Sequence, residues 1–156
     1  MGLTANVGTK LRTKWGEIQS YPVAGGVHIY RGAVVTLCLA GSKAGYAQPA
    51  TNEADDASKQ IVVGIAWEEA DNSSGSNGDK NVRVYDKLKC KLTLNNAQQS
   101  DIGKLAVVHD DETVTTYQSS GYSNVIVGRI SELLGGNEVF VDLSVRPARV
   151  ASAAYD

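Results

Sequence analysis

His28 and His109 are the only two histidines in the chain, and so its natural candidates for proton transfer near neutral pH. Neither stands at a recognisable spacing from a nucleophile. His28 lies in a strand-like run, and His109 opens the acidic stretch His109-Asp110-Asp111-Glu112. That stretch has oxygen donors suited to a divalent cation, but consecutive residues on a tight turn point in different directions, so a solvated hairpin tip is expected. Asp71, Ser73 and Gly75 alternate in the loop 71–79 in the manner of a calcium loop. The acidic density and terminal bidentate Glu of such loops are missing. Glu68 and Glu69 are adjacent on a strand end, so they project to opposite faces and cannot oppose each other across a cleft. The sequence has no GxGxxG, GxxxxGK[ST], GxSxG, CxxC or HExxH. These observations predict no catalytic, cofactor-binding or metal-binding residues and a protein that is not an enzyme. An enzyme would have to work with His109 and Asp110 alone.

Bulk composition excludes further classes. Fifteen basic and 17 acidic residues leave a formal charge of −2, without the basic excess of a nucleic-acid binder. Tyr30-Arg31 and Arg83-Val84-Tyr85 are the nearest approach to an aromatic–basic stacking surface, and both are ordinary in strands. No apolar run reaches the length of a membrane helix, and the N-terminus has no apolar leader. Neither nucleic acid nor membrane is expected as a partner. Cys38 and Cys90 both lie in apolar runs and read as buried thiols; a bridge would require their strands to be neighbours.

The elements that must position any site are strands. Leu88, Cys90, Leu92 and Leu94 alternate with Lys87, Lys89, Lys91 and Thr93, and Val139, Val141, Leu143 and Val145 with Phe140, Asp142 and Ser144. Period-two alternation gives one apolar and one wet face. About nine or ten such runs, with turn signals between them, predict an all-β fold, a small antiparallel β-barrel or sandwich. The strand Gln60–Trp67 carries the continuous apolar run Ile61–Trp67, which predicts burial on both faces or against a partner. No repeat of fixed period is visible. The body spans 23–145. Residues 1–22 read as an extended N-terminal arm with Lys10, Arg12, Lys14 and the anchors Trp15 and Tyr21, and 146–156 as a tail with Arg146 and Arg149.

Four segments together carry a resemblance. They are Tyr30-Arg31-Gly32-Ala33-Val34-Val35 with Ala44-Gly45-Tyr46-Ala47; Val62-Val63-Gly64-Ile65-Ala66 running through Glu68–Lys80 to Val82-Arg83-Val84; Asp101-Ile102-Gly103-Lys104-Leu105 with Val107 and Asp110-Asp111-Glu112-Thr113-Val114; and Val127-Gly128-Arg129-Ile130 with Val139-Phe140-Val141-Asp142-Leu143. Over 27–145 the chain resembles the small all-β capsid cement, or head-decoration, proteins of tailed phages. The arm and tail carry no part of the likeness.

The resemblance implies a virion structural protein without enzymatic activity. It would be made in the bacterial host cytoplasm and bound to the capsid exterior. Its partners would be the major capsid protein and further copies of itself, as a homotrimer. Arms of this kind add contacts by strand addition, and modest positive charge suits an acidic shell. Lys10, Arg12, Lys14, Trp15, Tyr21, Arg146 and Arg149 are therefore the expected partner contacts. A tail or head–tail connector module, or a carbohydrate-binding head-surface module, is the alternative.

Overall fold

Strands form where the alternation is cleanest. The structure, a computed structural model, describes residues 18–52, 60–117 and 125–144. It contains β1 (Ile18–Pro22), β2 (Val27–Ile29), β3 (Val34–Cys38), β4 (Ala47–Pro49), β5 (Gln60–Ala66), β6 (Ala70–Asn72), β7 (Asn81–Tyr85), β8 (Lys89–Leu94), β9 (Leu105–Val108), β10 (Thr113–Thr116), β11 (Ile126–Gly135) and β12 (Glu138–Asp142). A single 3₁₀ turn, Gln99–Asp101, is the one helical element among the described residues. None is long and apolar enough to cross a membrane. In β8, Leu92 and Leu94 are buried while Lys89 and Lys91 face water; in β12, Val139 and Val141 are buried between more exposed neighbours.

The fold is all-β, and it is built twice. The first five-stranded sheet has the order β1-β7-β5-β3-β4, and the second, a closed barrel, has β8-β12-β11-β9-β10. Every neighbouring pair along both orders is antiparallel. The registers coincide residue by residue. Val34 opposes Ile65 as Leu105 opposes Arg129, and Tyr21 opposes Val82 as Leu92 opposes Val139. Leu37 opposes Ala47 as Val108 opposes Val114. Closure is also shared. β8 and β10 pair in parallel through Leu94 and Val114, and the corresponding residues of the first sheet, Val23 and Ala47, form a single parallel bridge. The first sheet is thus a second, barely closed barrel.

The hydrogen bonds outside the ladders repeat too. Gly32 N–H donates to Ala66 O (3.0 Å) and Gly103 N–H to Ile130 O (2.8 Å), both glycines having positive φ. Ala50 N–H donates to Val34 O (2.9 Å) and Tyr117 N–H to Leu105 O (3.0 Å). No fixed period is visible in the sequence because the loops differ in length. The offset between counterparts is 71 residues at β3 (34 to 105), 67 at β4 (47 to 114), 64 at β5 (62 to 126) and 57 at β7 (84 to 141).

A bulge fixes which side chains enter each barrel. Val63 is the extra residue between the pairs Val35–Gly64 and Thr36–Val62, and Val127 the extra residue between Ala106–Gly128 and Val107–Ile126. One extra residue reverses the facing of everything beyond it. Val63 and Ala66 therefore join the first barrel's core, while Val62 and Ile65 join the buried cluster of the second. Gly64 and Gly128 are required because a Cβ there would overlap the backbone carbonyls of Tyr85 and Asp142. The apolar run in β5 is buried on both faces because its outer face meets the second barrel.

The cores are matched: Val23, Val35, Ala47, Ala66, Val82 and Val84 fill the first, and Leu94, Ala106, Val114, Ile130, Val139 and Val141 the second. The two-stranded ribbon β2–β6 adds Ile29 and Ala70 to the first core. Ile18–Pro22, assigned from sequence to the N-terminal arm, forms β1 and pairs with β7 along its length. Its half-exposed, mostly polar residues show no alternation, so its place is set by backbone ladder bonds rather than by side-chain burial.

Candidate functional site

Most of the side chains with chemical potential are engaged in holding loops. Asp110 Oδ1 accepts the N–H groups of Glu112 (2.9 Å) and Thr113 (2.7 Å), a side-chain cap on the tip of the acidic turn. His109 Nδ1 lies 3.8 Å from Asp110 Oδ2 on an exposed surface. Asp71 Oδ1 accepts Ser73 N–H (3.0 Å) and Oγ–H (2.6 Å), which hold its carboxyl below the usual range. Asp79 Oδ2 accepts Ser76 N–H (2.8 Å). The loop 71–79 is organised around buried Asn72, whose Nδ2 donates to Ala24 O (3.0 Å) and Ser76 O (2.9 Å), with Val23 O at 3.3 Å. Its carboxylates face their own backbone, not a shared centre. Among the described residues, no three His, Cys, Asp or Glu side chains converge as a metal site.

Glu68 and Glu69 diverge. Glu68 accepts two hydrogen bonds from Arg83 (3.0 and 2.7 Å), which hold its carboxyl below the ordinary glutamate value. Glu69 Oε1 lies 2.6 Å from His28 Nε2. The His28 ring stacks on Tyr30 with centroids 4.0 Å apart. Cys38 is buried in β3, Cys90 is half-buried in β8, and the two do not form a disulfide. Burial pushes the Cys90 thiol pKa up, away from the reactive thiolate.

The residues that do converge lie at the seam between the barrels. Val34 N–H, at the start of β3, donates to Asp111 O across the seam (2.7 Å). Beside it is a cleft of about 450 Å³ lined by Tyr30, Arg31 and Gly32 of the first barrel and Lys91, Asp111 and Glu112 of the second. Partial burial, and then repulsion from Asp110 and Glu112, raise the Asp111 pKa. Tyr30 is 58% exposed at the rim. The cleft combines both charges with an exposed ring, a lining able to meet a polar surface or ligand.

Of the expected contact residues, Lys10, Arg12, Lys14, Trp15, Arg146 and Arg149 lie outside the described residues. Tyr21 lies on β1, half-buried against the first core. Sequence reading set Tyr30 aside as an ordinary strand residue and missed Leu39 and Ile102 as surface groups. The available signal was a large apolar residue just outside a strand, beside Gly or at a turn.

No protein-family model and no curated protein matches the chain. Among solved structures, the fold is similar to the head fiber gp8.5 N base of bacteriophage phi29, with a TM-score of 0.50 and 12% identity. The match covers 86% of this chain and 99% of that one. At this identity the likeness is one of fold.

Proposed function

We propose that this protein is a structural component of a phage head, bound to the outside of the assembled shell, where it holds neighbouring major capsid subunits together. The observation that carries this reading is the shared fold with a phage head fiber base, matched over nearly the whole of both chains. The four sequence segments that resemble head-decoration proteins support it independently. They are the strand starts, bulges and closing strands of the two barrels.

The mechanism is mass action. A module that binds only the assembled shell stabilises it in proportion to its occupancy. Each contact can be weak, because an oligomer engages several subunits at once and the second contact is intramolecular. Two barrels ordered by their own cores lose little further entropy on binding. No step in this role breaks a bond, and the protein is not an enzyme. The test is addition of purified protein to expanded shells. It is expected to bind saturably and raise the shell's melting temperature, and in purified particles it is expected at high copy number. Absence from particles removes the head assignment; binding without thermal gain removes the cementing role alone.

A second reading, a carbohydrate-binding head-surface module, is favoured by exposed Tyr30, stacked on His28 at the rim of the seam cleft. Aromatic faces flanked by hydrogen-bonding groups suit sugar rings. Glycan-array binding abolished by Tyr30→Ala would support it, and no binding to any glycan would remove it.

A further inference from the structure

We propose that Asn77 is a self-modification site of the first barrel. When that barrel opens, the backbone nitrogen of Gly78 attacks the Asn77 carboxamide; while it is closed, its hydrogen bonds keep the amide intact. The inference stands apart from the head-protein reading.

The chemistry is local. Asn77-Gly78 is the one place in the sequence where asparagine precedes glycine. Without a Cβ, glycine lets its nitrogen swing toward the preceding side chain more freely than any other residue does. Once deprotonated, the nitrogen attacks Cγ. A new C–N bond forms, the Cγ–Nδ2 bond breaks, and the old amide leaves as ammonia. Water then opens the cyclic imide at either carbonyl. One opening gives aspartate, and the other gives isoaspartate, with the backbone rerouted through the side chain. Water is the only co-reactant, and nothing is oxidised or reduced.

The dipeptide is exposed, so exclusion of water does not protect it. Hydrogen bonding does. Asn77 Oδ1 accepts Gly25 N–H (2.7 Å) and Nδ2 donates to Ser42 O (3.0 Å), which pins the carboxamide at both ends. Gly78 N–H donates to Val23 O (2.9 Å), which occupies the attacking nitrogen and turns it away from Cγ. The three anchors lie on the side where the barrel closes. Val23 forms the closing bridge with Ala47, Gly25 follows it, and Ser42 is on the β3–β4 loop. Buried Asn72 holds Val23 O and Ala24 O from the same loop as Asn77. Opening this side therefore frees both reacting groups together.

Conversion is one-way, because ammonia is lost to solvent. A carboxylate at position 77 has no proton for Ser42 O and sets negative charge against it. Isoaspartate also lengthens the backbone before Gly78. A molecule that has opened is thereby marked and closes less tightly. The second barrel carries no such dipeptide: its Asn95, Asn96 and Asn137 precede Asn, Ala and Glu.

The test holds the full chain at one mildly alkaline pH, with and without urea, and follows ammonia release and peptide mass, with an isoaspartate-specific methyltransferase as the second readout. Conversion at Asn77 is expected to be more than about tenfold slower in the folded chain than in urea, as local opening must precede it. Asn72→Ala, which frees Val23 O and Ala24 O and leaves Asn77-Gly78 unchanged, is expected to speed conversion of the folded chain. Asn77→Asp is expected to melt below the parent. Equal rates with and without urea overturn the proposal, as does an Asn77 that stays intact in urea. A folded Asn72→Ala chain that converts no faster than the parent overturns the link to closure. Asn77→Asp melting with the parent overturns the loss of tight closing.

Discussion

In the first barrel the edge strands β1 and β4 meet at one bridge, Val23–Ala47, and the β2–β6 ribbon adds Ile29 and Ala70 to the core. In the second, β8 and β10 pair over two residues, and the β11–β12 connection is a tight turn at Gly135-Gly136-Asn137. The place occupied by β2 in one is a 3₁₀ turn in the other. The ladder, its bulge and its interior positions are common to both; closure and surface are not. Register belongs to the duplicated unit, whereas the loops carry what is specific to each position. The second barrel closes through its own pairing. The first needs an added ribbon, latched by Asn72, and it also lends its outer face to its neighbour.

The two barrels are most sensitive to change at their bulges. Gly64→Ala and Gly128→Ala each drive a methyl group into a backbone carbonyl that cannot move away, and each is expected to cost about 3 kcal/mol in urea unfolding. If one is tolerated and the other is not, the two bulges are not equivalent. Next in size is Asn72→Ala, which leaves three carbonyls at Val23, Ala24 and Ser76 without their shared donor. A loss of about 2 kcal/mol is expected. Amide exchange should accelerate in the ribbon and first barrel but not in β8–β12; equal acceleration everywhere would mean that the barrels open as one unit.

A smaller effect reports on the seam. The Asp111 pKa is raised in the folded chain, so its ionised form is the disfavoured one. Its contribution is most favourable below the ordinary aspartate pKa and is lost as pH rises through the folded value. Asp111→Asn is therefore expected to stabilise the protein at neutral pH by about 0.5 kcal/mol, allowing for solvent screening, and to give no gain in acid. A loss at neutral pH would show that the carboxylate itself holds the seam. The least change is expected from Glu68→Gln on the exposed face of the first barrel. The Glu68 pKa is lowered by Arg83, so its small contribution exists above the ordinary glutamate range and fades as pH falls. A melting series from neutral to acid pH checks the sign.

Much of the ladder was legible in the residues. β7, β8 and β12 follow from alternation alone, and Pro49, which has no N–H for a ladder, stands in the edge strand β4, paired only with β3 along the ladder. The acidic turn and the Gly-Gly turn fall where their turn residues stand. The duplication was written in pairs that read as unrelated: Val63-Gly64 with Val127-Gly128, Val82 and Val84 with Val139 and Val141, Gly32 with Gly103. Drifting offsets hid it, because loop length is free to vary while register is not. The seam cleft was not legible at all, because Tyr30, Lys91 and Asp111 meet only after two barrels are formed and packed.

Local residue chemistry sets which of the described segments are strands and where they turn, because pleating and turn geometry act over a few residues. Long-range packing sets that the strands make two barrels of one design, that β5 is buried on both sides, and which surfaces of the barrels meet. Those outcomes depend on pairings between distant residues, and a side chain's facing in such a pairing turns on a single inserted residue such as Val63 or Val127.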